Sequence, residues 1–255
     1  MQIYGHRGAK GEAPENSLDS FIHAYGHGVR HFEMDVQLSK DGEPVIIHDL
    51  TLERTTGRKG LVADNTMAQL ATMDARYNTS PWPTATGIPS LFDVVEACPD
   101  FAHLQLEVKS DTRQRMNVLC NRLVEWIQRK QWHQRITLTS SDQWFLRAVK
   151  RRNRSISTGF VAERRFPRPV ATARELGCNY LCPSKRLCTE ALVTAAHKAG
   201  MHVSSWTVNR IHDMTLLEQM GIDSVITDYP TSALIYFENR VTIGGIHMPV
   251  SGEVL

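Results

Sequence analysis

Glu33 and Asp35 lie two residues apart in the run His31-Phe32-Glu33-Met34-Asp35-Val36-Gln37, and His48 closes a second apolar run, Val45-Ile46-Ile47. Side chains on a β-strand alternate between its faces, so an extended 31–37 segment points both carboxylates to one side. Two acids on one strand face, with an imidazole at the tip of the next run, suit a hard cation beside a group that moves protons. The alternative is a pair of ordinary edge-strand acids. What else the fold brings to the same place decides between them.

The rest of the chain repeats a short apolar strand followed by an amphipathic helical stretch. Strands are predicted at 2–5, 31–37, 103–108, 135–139, 155–161, 180–182, 202–207 and 224–227, with the short 45–47 run after the second. Helices are predicted at 17–27, 90–98, 113–130, 143–152, 168–176, 189–199 and 211–220, and another after Pro230. Asn16 has the chemistry to cap the first of them. Residues 51–89 break the rhythm with TTGRKG and NTSPWPTATGIP, which predicts an excursion of loops and one short helix at 65–73. Eight strands with intervening helices predict an α/β fold of the closed (β/α)8 TIM-barrel kind. The barrel is expected as one domain over 1–255, with a small insertion after strand 2 at about 51–89 and an irregular tail at about 242–255. An open doubly wound sheet usually carries a G-x-G-x-x-G turn after its first strand. Here that turn reads Gly5-His6-Arg7-Gly8-Ala9-Lys10-Gly11, which lacks the spacing.

In such a barrel, chemistry belongs to the C-terminal ends of the strands. Taken in order, those ends carry His6-Arg7, then Glu33 and Asp35 with His48 beyond, then Glu107 and Lys109. Ser140-Ser141, Ser184-Lys185, Trp206 and Asp228 complete the rim. Left unpaired, so many ionisable groups would repel one another and resist desolvation. A divalent cation and an anionic substrate among them would satisfy both signs. Three carboxylates without a thiolate favour Mg2+ or Ca2+ over zinc. Arg7 offers a planar fork for a phosphate, and Lys109 adds a point charge. Glu107 and Lys109 also have the spacing of a same-face structural ion pair. His6 and His48 titrate near neutrality, so one can take a proton from a nucleophile while the other gives one to a leaving alkoxide. We assign His6 as base and His48 as acid, a direction that residue types alone leave open. Asp49 and Asp228 are candidates to orient them. The inventory predicts metal-assisted phosphodiester cleavage.

Composition narrows the partners. Charged residues make up 22% of the 255 and the net charge is +2, with the basic residues scattered, which argues against nucleic acid. No apolar stretch reaches membrane-spanning length, so no stable membrane insertion is expected. The five cysteines are odd in number and lack a C-x-x-C pair, which predicts reduced, structural thiols and a cytoplasmic setting. Oligomeric state is not readable.

The motifs resemble the glycerophosphodiester phosphodiesterase family of cytoplasmic bacterial type. His6-Arg7, Glu33-Met34-Asp35 and His48 follow the family's order, and HRGAKGEAPENS, EMDVQLSKDGEPVIIHD, LERTTG, LEVK, WTVN and GIDSVITDYP match its wording. The similarity runs from residue 2 to about 236. It implies a TIM barrel with an insertion after strand 2, one divalent cation on Glu33, Asp35 and Glu107, and His6 and His48 as the acid–base pair. It further implies Arg7 and Lys109 on the phosphate and Trp206 along the apolar side of a glycerol pocket. The implied reaction is hydrolysis of sn-glycero-3-phosphodiesters, small molecules such as glycerophosphocholine, to an alcohol and sn-glycerol 3-phosphate. A related lysophospholipase D-type activity is the near alternative, and a non-catalytic phosphodiester-binding module the distant one. Ser140-Ser141-Asp142 departs from a Ser-Phe-Asp pattern frequent in the family, which puts the apolar lining at 141 in doubt.

Overall fold

The computed structural model describes residues 1–79, 81–243 and 246–249. The strands are β1 (Gln2–His6), β2 (His31–Leu38), β3 (Pro44–Ile46), β4 (His103–Val108), β5 (Ile136–Ser140), β6 (Ser157–Ala162), β7 (Tyr180–Pro183), β8 (His202–Ser205) and β9 (Ser224–Thr227). All but β3 run parallel, in the order β1-β9-β8-β7-β6-β5-β4-β2, and β1 pairs back onto β2 through Gly5↔Phe32 and His6↔Glu33. That last pairing closes an eight-stranded barrel. β3 lies antiparallel on the outgoing end of β2, with Val36 opposite Ile46.

Alternation along the strands divides apolar from polar. Phe32, Met34 and Val36 of β2 and Leu104, Leu106 and Val108 of β4 join the main core, which the surrounding helices cover. The intervening residues face the lumen, where polar groups hydrogen-bond across the barrel. Gln105 Nε2 donates to Ser204 Oγ at 2.9 Å, and Tyr4 Oη meets His103 Nδ1 at 3.0 Å. The register Glu33↔Gln105 and Asp35↔Glu107 therefore carries the acids of two neighbouring strands to the same end of the same face.

Ten helices are α1 (Leu18–Gly26), α2 (Glu53–Thr56), α3 (Met67–Ala71), α4 (Leu91–Ala97), α5 (Arg113–Lys130), α6 (Gln143–Arg152), α7 (Pro169–Glu175), α8 (Glu190–Lys198), α9 (Ile211–Gln219) and α10 (Pro230–Glu238), counted among the described residues. α5 shows why they form: Thr112 caps it, and Met116, Leu119, Cys120, Leu123, Val124 and Ile127 recur at helical spacing on its buried face. Burying a leucine there contributes about 2 kcal/mol. None of the described helices is long and apolar enough to cross a membrane.

Three expectations differ from the structure. Ser17, not Asn16, caps α1, its hydroxyl accepting from Ser20 N. Asn16 instead adopts a left-handed φ of 54°, a conformation asparagine tolerates, and turns its amide into the barrel mouth. The tail expected to be irregular from 242 begins with β10 (Arg240–Ile243) paired antiparallel to β11 (Ile246–Pro249). Val241-Thr242-Ile243 is a β-branched run whose propensity the sequence reading passed over. Residues 244–245 and 250–255 of that tail lie outside the described residues. The 51–89 excursion carries two helices, α2 and α3, where one was expected at 65–73, and it is less loose than its composition suggests. Leu52, Val62, Leu70, Met73, Ala75 and Ile88 pack on Val45 and Ile47 in a small second core.

Candidate active site

The turn after β1 sets the first pair of groups. Gly5 lets the chain fold back at once, since a Cβ there would stand 2.0 Å from the Gly8 carbonyl oxygen. Arg7 and Gly8 follow with φ of 52° and 86°. His6 and Arg7 are thereby held at the mouth, buried beside Glu33. His6 Nδ1 lies 2.5 Å from Asp228 Oδ1 at the end of β9, and its Nε2 is 3.8 Å from Glu33 Oε2. Burial pushes the His6 pKa down, an effect the Asp228 hydrogen bond only partly offsets. The ring is therefore mainly neutral at pH 7, as a proton acceptor requires.

Glu33, Asp35 and Glu107 each offer a carboxylate oxygen, and the three oxygens lie within 4.8 Å of one another. Their surroundings differ. Burial and then the charges of Asp35 and Glu107 push the Glu33 carboxyl well above the usual carboxylate range. Its Oε1 is buried with no hydrogen-bond partner. Burial would raise Asp35 as well, but Lys109 and Arg7 overcome it and hold this carboxyl low. Lys109 Nζ stands 2.8 Å from Asp35 Oδ1 and 2.8 Å from Glu107 Oε1, while Arg7 Nε is 2.9 Å from Asp35 Oδ2. The same Asp35 oxygen accepts from Asn16 Nδ2 at 2.8 Å. An orphaned, buried carboxylate oxygen beside two further acids is a donor set that fits an oxygen-seeking divalent cation.

His48 approaches from the far side, at the end of the run that β3 begins. Its Nδ1 is 2.7 Å from Asp49 Oδ1. A cavity of about 430 Å³ joins the parts, bounded by His6, Arg7, Glu33, His48, Glu107 and Lys109. Trp206, Ser141, Glu163 and Lys10 form the rest of its mouth. Trp206 is fixed by its indole N–H, which donates to the Cys182 carbonyl at 2.9 Å. Seven of the eight residues singled out as site candidates thus line one opening, and the eighth, Asp35, lies buried behind it against Arg7 and Lys109.

Some rim residues go elsewhere. Lys185 pairs with Asp213 at 2.7 Å, and Ser140 donates to the Val108 carbonyl at 2.7 Å, so neither serves the cavity. The five cysteines are free thiols, and burial raises the Cys182 thiol far above its usual value. Sequence reasoning missed Glu15, Asn16 and Arg54. Glu15 is buried between two guanidinium groups, Arg7 at 2.7 Å and Arg54 at 2.8 Å, which overcome its burial and hold its pKa at about 2. The clue was an acid and an amide in GEAPENS and an arginine in LERTTG, polar residues in segments with no amphipathic helical period.

Comparison with known proteins agrees with this geometry. The family model for the glycerophosphoryl diester phosphodiesterase family matches residues 6–232. A glycerophosphodiester phosphodiesterase of Caldanaerobacter subterraneus subsp. tengcongensis is 30% identical over 244 residues, covering 95% of this chain and 98% of that protein. A lysophospholipase D of Rattus norvegicus is 26% identical over 274 residues, covering 92% of this chain and 85% of that one. Among solved structures, an Oleispira antarctica phosphodiesterase in complex with the product sn-glycerol-3-phosphate superposes with a TM-score of 0.82 at 27% identity, covering 93% of this chain and 97% of that one. The strand-end constellation and the near full-length match point the same way: this chain is a phosphodiesterase belonging to the glycerophosphoryl diester phosphodiesterase family.

Proposed function

We propose that the chain hydrolyses sn-glycero-3-phosphodiesters, such as glycerophosphocholine or glycerophosphoethanolamine, to sn-glycerol 3-phosphate and the free alcohol. One observation carries this reading: three carboxylates offer oxygens within 4.8 Å of one another, and two of them, Glu33 and Glu107, line a cavity with two histidines, an arginine and a lysine. Glu33, Asp35 and Glu107 would hold one Mg2+ or Ca2+, which when bound supplies charge neutralisation and Lewis acidity at a phosphate oxygen. The local charges favour it. Arg7 and Lys109 offset two of three negative charges, and a divalent cation with a singly charged phosphodiester brings the remainder to zero.

The protein's own groups do the rest. Arg7 and Lys109 orient the phosphate, and His6, neutral and fixed by Asp228, takes the proton from the attacking hydroxyl. That hydroxyl belongs to water or to the substrate's own glycerol, and the second case passes through a cyclic phosphate. His48, fixed by Asp49, returns a proton to the leaving alkoxide. Trp206 packs against the glycerol carbons. Glu163 also lines the cavity, and its carboxylate would attract a cationic alcohol such as choline. The whole chain acts as one catalytic domain, with 51–89 bracing the site through Arg54, and the free thiols fit a cytoplasmic setting.

Lysophospholipids are the second reading, favoured by Leu61 and Tyr77, which stand exposed on the inserted segment. Trp82, also on that segment, donates its indole N–H to Asp19 at 2.6 Å and lies outside the cavity. Incubation of the purified protein with glycerophosphocholine or with lysophosphatidylcholine, in separate assays, tests the choice. Enzymatic detection of glycerol 3-phosphate from the first and little choline from the second is expected. Faster choline release from the lysolipid would reverse the assignment.

A further inference from the structure

We propose that Arg54 is a positioning residue that couples the proton-transfer side of the site to its anion-binding side. Its guanidinium sits in an unbroken line of side chains. Nε lies 2.5 Å from Asp49 Oδ2, whose other oxygen is 2.7 Å from His48 Nδ1. Nη1 and Nη2 donate to the two oxygens of Glu15 at 2.8 Å and 2.9 Å. Glu15 in turn accepts from Arg7 Nη1 at 2.7 Å, and Arg7 reaches Asp35. His48, Asp49, Arg54, Glu15 and Arg7 thus form one continuous line of side chains that begins at the imidazole and ends at the guanidinium facing the cavity.

The placement of the five residues shows why Arg54 is the joint. Arg7 follows β1 and Glu15 precedes α1, whereas His48 and Asp49 follow β3 and Arg54 is on α2 in the inserted segment. Among the described residues, Asn78 of the inserted segment also donates an amide hydrogen bond to Glu15, at 3.3 Å. That link reaches neither His48 nor Asp49. An arginine is suited to the task because its planar fork binds Glu15 with two donors while a third donor remains for Asp49. Lysine has one point charge and would serve only one side. Glu15 has 3% of its side chain exposed and Arg54 38%, so the joint is anchored at its buried end and open to solvent at the other.

Removing the guanidinium frees the Asp49 carboxylate to turn, and with it the His48 ring. It also leaves Glu15 to Arg7 alone among the arginines, which draws the Arg7 fork toward Glu15 and away from a substrate phosphate. Both halves of the site are therefore affected by one change. This inference rests on His48 and Arg7 having the roles proposed above, so its test includes a measurement that needs no substrate.

In Arg54→Ala, kcat for glycerophosphocholine should fall by about ten- to a hundredfold, the usual scale for groups that orient a catalytic side chain. KM should rise in the same variant. Arg54→Lys should recover little, and millimolar guanidinium should restore part of kcat to Arg54→Ala through the exposed side of the joint. In Asp49→Asn the further loss on adding Arg54→Ala should be smaller than in the wild type. Independently of turnover, 15N NMR at a pH where the His48 ring is neutral should show one tautomer, protonated at Nδ1, in the wild type and a mixture in Arg54→Ala. A folded Arg54→Ala with an unchanged His48 spectrum overturns the proposal whatever the assay gives. Multiplicative losses in the double variant overturn it as well. A wild-type protein with no activity on the diester and a changed His48 spectrum would instead overturn the substrate reading alone.

Discussion

His6 Nδ1 and Asp228 Oδ1 stand 2.5 Å apart, although the residues are separated by 222 positions and lie at the ends of the first and last barrel strands. Closure of the barrel through β1 and β9 makes that contact. It leaves His6 Nε2 facing Glu33 and the cavity. Asp228→Asn keeps the shape and removes the charge. Turnover should drop on the order of 10–100-fold with the melting temperature nearly unchanged. Steady-state kinetics beside a thermal melt decide it, and an undiminished kcat would mean that Asp228 does not orient the histidine.

The paired histidines should behave as catalytic groups. His6→Ala and His48→Ala each remove a proton-transfer partner, which typically costs about 10²–10⁴ in turnover. Near wild-type rates in both single variants would defeat the assignment, and a cavity filled by water in place of either ring cannot compensate to that extent.

Stability should depend on pH through a second group of histidines at the opposite end of the lumen. His103 is held by Tyr4 at 3.0 Å and Thr137 at 3.1 Å, and burial drives its pKa down to about 3; burial drives His202 to about 4. An unfolded histidine titrates near 6.5. Below that pH the unfolded chain binds protons that the folded chain refuses, so this contribution is whole above about 6.5 and is lost as pH falls toward the folded values. Each ring should reduce the unfolding free energy by roughly 2 kcal/mol between neutrality and pH 5. Urea titrations at the two pH values measure it. His103→Gln should flatten the dependence, and an equally steep slope in that variant would assign the effect elsewhere.

Gly5→Ala tests the turn that presents His6 and Arg7. The new methyl group would press on the Gly8 carbonyl oxygen, 2.0 Å from the ideal Cβ position. Overpacking against backbone costs on the order of 1–3 kcal/mol or more, and displacement of the turn should abolish most activity as well. Retained activity at unchanged stability would show that the turn relaxes freely.

Strand alternation made much of the site legible without coordinates. Glu33, Asp35, Glu107 and Lys109 share a face because of a two-residue period, and the parallel register of β2 with β4 follows from their similar lengths and apolar runs. Helix α5 was equally readable from its spacing. What escaped depends on partners far apart in sequence. Asn16 carries the signature of a helix cap, yet Ser17 serves that role because Asp35 claims the asparagine amide. Arg54 and Glu15 meet across 39 residues, and Lys185 leaves the rim for Asp213. In each case a tertiary ion pair or hydrogen bond overrides a local preference, and no local pattern encodes it.

The demand of Glu33, Asp35 and Glu107 for a cation is the centre of the account, and hydrolysis by chelator-treated protein tests it most directly. Glycerol 3-phosphate release from glycerophosphocholine should vanish after chelation and return, saturably, on titration with Mg2+ or Ca2+, and Glu33→Gln should weaken the apparent metal affinity. Undiminished release by the metal-stripped protein, with the same rate in Glu33→Gln, would contradict it.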